Sequence, residues 1–218
     1  EANIPVEANV KLIGEAEDSA SSLSFIKSAF SLALLLMFIV LISLFNNFYH
    51  TFIILFSIVL STTGIFVGLL VMGMSFSGVM TGLGIVACTG IVVNNNIILI
   101  DSYRKIRKTE ENKTIAIIQS ARSRIRPIFL TTITTVCGLL PSALQISMNI
   151  FDRSITYKSP ETYFVQPLAW AIVWGLSFAT FATLFVTPSL LALPDKLKSL
   201  VSKNKKQATI QVTQNEAI

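Results

Sequence analysis

Five long apolar segments, separated by short polar stretches, dominate the pattern of the chain. Each has about 20 residues or more, the length that a helix needs to cross the hydrocarbon of a bilayer. The pattern therefore predicts an all-α membrane protein, a bundle of five transmembrane helices. The predicted spans cover residues 23–45, 52–72, 76–100, 127–147 and 165–193.

The polar stretches complete the predicted domain organisation. Residues 1–22 are polar and acidic, and alternation over 6–12 predicts a strand, so we expect the remnant of an extramembrane domain from a longer protein. Residues 194–218 are basic and then polar, which predicts a disordered tail. Between the third and fourth spans, residues 114–121 carry isoleucines between basic flanks, which predicts a short interfacial helix on the cytoplasmic membrane surface.

Composition and charge support the membrane interpretation. Hydrophobic residues make up 52% of the chain and charged residues 13%, whereas soluble domains carry about 25% charged residues. Of the 17 Lys and Arg residues, eight lie within 104–126 and five within 196–206, beside apolar runs. This clustering indicates membrane topology rather than a nucleic-acid partner, and it predicts that the tail is cytoplasmic and that the N-terminal stretch lies on the outer side of the membrane.

The third span contains three consecutive asparagines, Asn94, Asn95 and Asn96. An amide in hydrocarbon needs a hydrogen-bond partner, because lipid tails supply none. This span should therefore pack against other helices or line a polar cavity. Asn94 shares a helical face with Asp101, and small residues at 87 and 90 extend that face and favour close helix approach.

The fourth span carries a matching face, made of Arg124, Thr131, Thr135 and Gly138. Because the two spans run antiparallel, pairing Asp101 with Arg124 brings Asn94 level with Thr131, about 10 Å further into the bilayer. We therefore predict an ion pair at the cytoplasmic end and an amide–hydroxyl contact deeper in. Asparagine and threonine also occur between membrane helices purely as packing contacts, and spacing alone favours that simpler interpretation.

None of the five segments has an Asp, Glu, Lys, Arg or His deep inside it; Lys27 and Asp101 lie at their edges. Since an intramembrane proton relay requires titratable groups, a proton-driven parent protein must supply its carboxylates from elsewhere. The sequence also lacks a phosphate-binding loop, a catalytic triad and a cluster of metal ligands. We expect neither an enzyme nor a resident cofactor or metal.

Several motifs, in this order and spacing, resemble one family: the resistance-nodulation-division (RND) efflux permeases of the acriflavine-resistance type. Residues 90–101 (GIVVNNNIILID) resemble the tenth transmembrane helix of these permeases. Residues 124–132 and 138–141 resemble the eleventh helix, and residues 185–188 resemble the end of the twelfth. The chain would thus hold helices eight to twelve, in the C-terminal half of an RND transmembrane domain.

The resemblance implies an inner-membrane transporter that exports drugs or other amphiphiles in exchange for protons. It implies an N-terminal half of similar fold as a partner, a homotrimer, a periplasmic adaptor and an outer-membrane channel. It also implies paired aspartates in the fourth helix of the missing half.

Asn94, Arg124 and Thr131 match positions that the family associates with its proton relay. In the best-known drug pumps a lysine stands at the position of Asn94, so here a hydrogen-bonding partner replaces a charged one. Asn95 matches an asparagine of the family, whereas Asn96 replaces a small residue, and helix packing is the expected role of both. Asn95, Asp101 and Thr135 are secondary candidates for the site.

Two alternatives to drug export remain open at this stage. A transporter of the same superfamily could carry lipid or metal ions, or assist protein export. A non-transporting scaffold or truncated remnant would also lack carboxylates. An adjacent pair of aspartates in an earlier span would support the pump, whereas an initiator just upstream of Glu1 would favour the remnant.

Overall fold

The computed structural model describes residues 15–149 and 154–215, and five long helices dominate it. All five contain segments long and apolar enough to cross a membrane, so the predicted five-helix bundle is confirmed. The N-terminal strand predicted over residues 6–12 lies outside the described residues. The helices are α1 (Glu15–Phe45), α2 (Phe48–Met72), α3 (Gly78–Arg107), α4 (Lys113–Ala143) and α5 (Pro160–Asn215).

Short turns connect the first three helices. Asn46 adopts a φ of 45°, and Asn47 caps α2 by accepting a 2.9 Å hydrogen bond from the amide of Tyr49. At its other end α2 stops at Gly73, whose φ of 63° is the left-handed conformation that glycine adopts without steric cost. These local signals make α1, α2 and α3 an antiparallel series.

The prediction of a separate interfacial helix over residues 114–121 is wrong, because that segment forms the beginning of α4. Asn112 caps α4 by accepting from the amide of Thr114 at 3.1 Å, and the helix continues without a break through Pro127. No glycine or proline interrupts residues 113–126. Ala116 and Ile117 are buried in a cluster with residues of α1, α2 and α3, so packing on the bundle holds this segment.

Two further differences concern the ends of the last helices. After Ala143 the chain forms a two-stranded antiparallel hairpin, β1 (Ile146–Asn149) and β2 (Ser154–Tyr157), where the sequence predicted the end of a span and a loop. Strands of four residues are too short to show an alternating pattern. At the other end α5 continues to Asn215 through the tail predicted to be disordered; no glycine or proline follows Pro194 there.

The last helix organises the packing, because α5 lies against α2, α3 and α4. Glycines on α2 allow a close approach: a Cβ at Gly68 would lie 2.1 Å from Cγ of Trp174. Close approach through small residues is typical of membrane helices, which gain association energy from packing rather than from water exclusion. The more peripheral α1 is mostly exposed in this chain.

Candidate functional site

Helix α3 is enclosed by its neighbours except along one stripe. Residues spaced three or four apart on this stripe are exposed or half-buried, and we call them the open stripe: Leu83, Ala87, Gly90, Asn94, Ile98 and Asp101. A Cβ at Gly90 would meet nothing within 4 Å. The amide of Asn94 is therefore exposed in this chain although it belongs to a helix long and apolar enough to span a membrane.

Helix α4 presents a comparable stripe. Thr131 and Gly138 are exposed, Arg124 and Thr135 are half-buried, and a Cβ at Gly138 would again meet nothing within 4 Å. The hydroxyl of Thr131 donates to the carbonyl of Ile128 on its own helix at 2.9 Å, and that of Thr135 donates to the carbonyl of Thr131 at 2.8 Å. Both threonines thus satisfy their hydroxyl protons locally and leave lone pairs available.

The predicted ion pair between Asp101 and Arg124 is wrong. Asp101 pairs instead with Lys105, one turn away on the same helix, at 2.7 Å. Arg124 Nε donates to Oγ of the buried Ser102 at 2.6 Å. The observed partner of Arg124 is one residue away from the predicted one, because α3 turns Ser102 rather than Asp101 toward α4. The contact nevertheless joins α3 to α4 beside Asp101, at the end of the open stripe.

The predicted contact between Asn94 and Thr131 does not form within the described residues. Asn94 lies seven residues from Asp101, and Thr131 lies seven from Arg124, so each is about 10 Å further along its helix. They lie at similar depth, since Ser102 and Arg124 are in contact. Both side chains face away from the packed interior of this chain.

Asn96, only two residues from Asn94, has the opposite environment. It is fully buried, its Nδ2 donates to Oγ1 of Thr183 at 3.2 Å, and its Oδ1 accepts from Oγ1 of Thr187 at 2.9 Å. Nδ2 also donates to the carbonyl of Val92 at 3.0 Å. The expectation that Asn96 serves helix packing is confirmed; Asn95 is buried as well.

A second buried contact connects α4 to α5. The hydroxyls of Thr132 and Thr180 lie 2.7 Å apart, and Thr132 also donates to the carbonyl of Ile128 at 2.9 Å. We call the buried set Asn96, Thr132, Thr180, Thr183 and Thr187 the polar seam. These threonines and Ser102 are not among the site residues predicted from the sequence. Their signal was present, because residues 180, 183 and 187 share one face of α5.

The two sets differ in chemical capacity. Within the seam, the amide and hydroxyls of Asn96, Thr183 and Thr187 satisfy one another, so the seam serves cohesion. The open stripe and the stripe on α4 offer the amide of Asn94, the hydroxyl of Thr131 and the guanidinium of Arg124. Each of these groups can still form a hydrogen bond with another molecule or another part of the protein. An amide and a hydroxyl form hydrogen bonds and a guanidinium carries charge, so these groups can bind a charged partner.

A family model described as AcrB/AcrD/AcrF family matches residues 1–194, which is most of the chain. The chain belongs to the AcrB/AcrD/AcrF family. Members of this family are RND permeases, which are transporters rather than enzymes. The resemblance drawn from residues 90–101 and 124–132 is confirmed at the level of the RND permeases, and the chain is a multi-pass membrane part of such a protein.

A similar protein and similar solved structures agree with this assignment. The swarming motility protein SwrC of Bacillus subtilis (strain 168) is 30% identical over 186 residues, which are 84% of this chain and 16% of that protein. Crystal structures of a heavy metal efflux pump in two crystal forms superpose with TM-scores of 0.67 and 0.66, at 28% and 27% identity. Each match covers 84% of this chain and 17% of the pump. The chain therefore spans about a sixth of the length of these relatives.

Proposed function

We propose that this chain is the C-terminal membrane bundle of a proton-driven efflux permease of the acriflavine-resistance type, which exports drugs or other amphiphiles. One observation carries the proposal: the open stripe exposes Asn94 and Gly90 in the middle of a membrane helix. An amide facing lipid would lack hydrogen-bond partners at a cost of a few kcal/mol. Another protein surface must therefore cover this stripe.

The N-terminal half of the same permease is the proposed covering surface. The family resemblance implies that it carries paired aspartates in its fourth helix, and the transmembrane segments of this chain supply no carboxylate of their own. In the proposed site Asn94 donates a hydrogen bond to the ionised aspartates. When they bind protons that bond weakens, and the packing of α3 against the other half changes.

Arg124 and Thr131 complete the proposed relay-associated set. Thr131 lies at the depth of Asn94 and offers a hydroxyl. Arg124 lies nearer the cytoplasmic end, held by Ser102, where its charge can attract the aspartates when they are ionised. Asn95, Asp101 and Thr135 are given lesser roles, because Asn95 is buried and Asp101 is paired with Lys105.

The proposed setting follows from the same assignment. The protein lies in the bacterial inner membrane with the N-terminal stretch periplasmic and the tail after residue 194 cytoplasmic, as the distribution of Lys and Arg favours. The intact permease forms a homotrimer and works with a periplasmic adaptor and an outer-membrane channel. No nucleic acid, cofactor or resident metal takes part.

The proposal is tested with Asn94→Ala in the intact gene product. We expect efflux of a fluorescent cationic dye to fall by about tenfold or more, because the loss of a hydrogen bond to a charged group costs about 1.5–3 kcal/mol. Membrane level and trimer assembly should stay normal, since Asn94 makes no hydrogen bond within the described residues. Ser28→Ala on the peripheral α1 is the matched control, because among the described residues the Ser28 hydroxyl bonds only the carbonyl of Phe25 on its own helix. Normal efflux in Asn94→Ala would contradict the proposal.

A second cargo class has its own support. The similar crystal structures are of a heavy metal efflux pump, which favours metal ions as the alternative cargo. The described residues contain no group of three His, Cys, Asp or Glu side chains that could hold a metal ion, so such cargo would bind elsewhere in the protein. Expression in a host deprived of its own pumps separates the two: tolerance to amphiphilic dyes supports drug export, and tolerance to copper, silver or zinc supports metal export.

A further inference from the structure

The face of α4 opposite Thr131 has an unusual order of side chains. Nine residues separate Arg122 from Thr131, which is a rotation of about 180° around the helix. On this side lie exposed residues three or four apart, which we call the outward face: Ile118, Arg122, Arg126, Phe129 and Ile133. Ile118 is 60% exposed, Phe129 49% and Ile133 52%, so the arginines have apolar neighbours on both sides along the helix.

Neither arginine of the outward face is neutralised by the chain. Among the side chains that the structure describes (residues 20–147, 157–160 and 162–194), Arg122 and Arg126 have no ion-pair or hydrogen-bond partner. The carboxylate of Asp101 is already paired with Lys105. The two guanidinium groups start one turn apart, about 6 Å along the axis, on the same side of one helix.

Their depth corresponds to the headgroup layer. About 20 helical residues cross the hydrocarbon, and counting back that number from Ala143, the last residue of α4, reaches residue 124. Arg122 and Arg126 therefore lie at the cytoplasmic boundary, with Phe129 and Ile133 inside the hydrocarbon. Ile118 lies one helical turn beyond Arg122, on the side away from the hydrocarbon.

We propose that the outward face of α4 is a binding site for an anionic phospholipid of the cytoplasmic leaflet. The guanidinium groups of Arg122 and Arg126 donate to the headgroup phosphate, and an acyl chain lies along Phe129 and Ile133. Guanidinium suits this role because it forms paired hydrogen bonds with phosphate oxygens and is weakly hydrated. Basic pockets at the cytoplasmic ends of membrane helices bind anionic headgroups in this manner.

The choice of lipid over another protein surface rests in part on the proposed function. If the stripe with Thr131 faces the N-terminal half, the outward face, half a turn away, faces the bilayer. The charge is complementary to phosphate, and the flanking side chains are complementary to acyl chains. A protein partner would have to bring carboxylates to both arginines and also cover Ile118, Phe129 and Ile133.

The test uses the intact gene product in nanodiscs that contain spin-labelled phosphatidylglycerol or spin-labelled phosphatidylcholine. We expect the wild type to immobilise phosphatidylglycerol preferentially. Arg122→Gln with Arg126→Gln should lower that preference roughly fivefold per arginine, because each basic residue near an anionic surface is worth about 1 kcal/mol. Lys108→Gln is the control, since Lys108 is an exposed cation of the same membrane side outside the face. Equal immobilisation of both lipids, or an equal loss in Lys108→Gln, would overturn the proposal.

A second measurement keeps the arginines in place. In Phe129→Trp, the added fluorescence relative to the unmodified protein should be quenched more strongly by brominated phosphatidylglycerol than by brominated phosphatidylcholine. Inorganic phosphate should not reverse this difference if a lipid is bound; reversal would show an anion site without a lipid and contradict the assignment. Neither experiment measures transport. If the wild type shows no lipid preference but efflux depends on Asn94, only the lipid site is rejected. If the wild type shows the preference but efflux does not depend on Asn94, only the relay is rejected.

Discussion

Asn94 and Asn96 are the same residue type, two positions apart on one helix, and their surroundings are opposite. Asn96 is fully buried and bonded to two threonines of α5, whereas Asn94 is exposed and makes no hydrogen bond within the described part of the chain. The pair Thr132 and Thr131 repeats the contrast on α4. A polar residue in a membrane helix therefore has a structural role where the chain itself satisfies it. Where it stays open, it is available to another part of the protein.

The largest difference in protein level is expected between the variants that carry lysine at position 96 and at position 94. Asn96→Lys would bury an ammonium among threonine hydroxyls, at a cost of about 3 kcal/mol or more, and we expect the protein to be lost from the membrane. Asn94→Lys should fold, because its side chain enters the open stripe and can pair with the proposed carboxylates. Protein level by quantitative immunoblotting of membranes measures both variants. Equal loss of the two proteins would remove the distinction between the seam and the stripe.

A methyl group added to glycine gives the next contrast. In Gly68→Ala the new Cβ would lie 2.1 Å from Cγ of Trp174, so α2 and α5 must separate. We expect a loss of about 1–3 kcal/mol, the usual cost of overpacking. In Gly90→Ala the new Cβ meets nothing within 4 Å in the described part of the chain, and we expect the stability of the bundle to be unchanged.

Thermal stability of the detergent-solubilised protein, followed by size-exclusion chromatography after heating, compares the two alanine variants. If α3 packs against the N-terminal half at Gly90, efflux should fall in Gly90→Ala while the melting temperature stays within error. A lower melting temperature in Gly90→Ala than in Gly68→Ala would contradict the assignment of the two surfaces.

Substitution of the adjacent Thr131 and Thr132 tests the same contrast between an exposed and a buried polar residue, with smaller expected effects. Thr132→Val removes the hydroxyl 2.7 Å from Thr180, and interhelical hydrogen bonds in membranes are worth about 0.6 kcal/mol on average. We expect a small decrease in melting temperature with near-normal efflux. Thr131→Val should leave the melting temperature unchanged and reduce efflux several-fold. The reverse pattern would place the functional hydroxyl in the seam.

The smallest effect is expected from Asp101→Asn. Its pair with Lys105 is solvent-exposed and lies within one helix, and such pairs contribute about 0.5 kcal/mol or less. Stability and efflux should both stay close to those of the unmodified protein. A strong loss of efflux would show that Asp101 belongs with Arg124 after all, and that the arrangement with Lys105 changes during transport.

The extent of successful prediction differs between fold and site. The five spans, their order and the short turns at Asn47 and Gly73 could be predicted, because apolar length and capping residues are local properties. The segment 114–121 was predicted as helix, but its union with α4 depends on the burial of Ala116 and Ile117 against other helices. The hairpin at Ile146–Tyr157 depends on pairing between two short strands, which no local pattern specifies.

For the site, helical periodicity separates the faces of Asn94, Asn95 and Asn96, and it groups Asn94 with Asp101. Periodicity does not specify which face a neighbouring helix covers. It therefore left both the packing and the relay interpretations open for Asn94. Opposite charge led to the predicted pairing of Arg124 with Asp101, whereas the rotation of α3 in the structure brings Ser102 to Arg124.

The sequence by itself determined that this chain carries five candidate membrane spans and belongs to the AcrB/AcrD/AcrF family, because span length and local motifs depend on consecutive residues. Only the tertiary structure decided that Asn96 is buried and hydrogen-bonded whereas Asn94 is exposed. That choice depends on where α5 lies against α3, so that Thr183 and Thr187 enclose Asn96 and leave Asn94 uncovered. These two hydrogen bonds join residues that are 87 and 91 positions apart in the sequence. They depend on the packing of whole helices, and no short stretch of the chain contains that information.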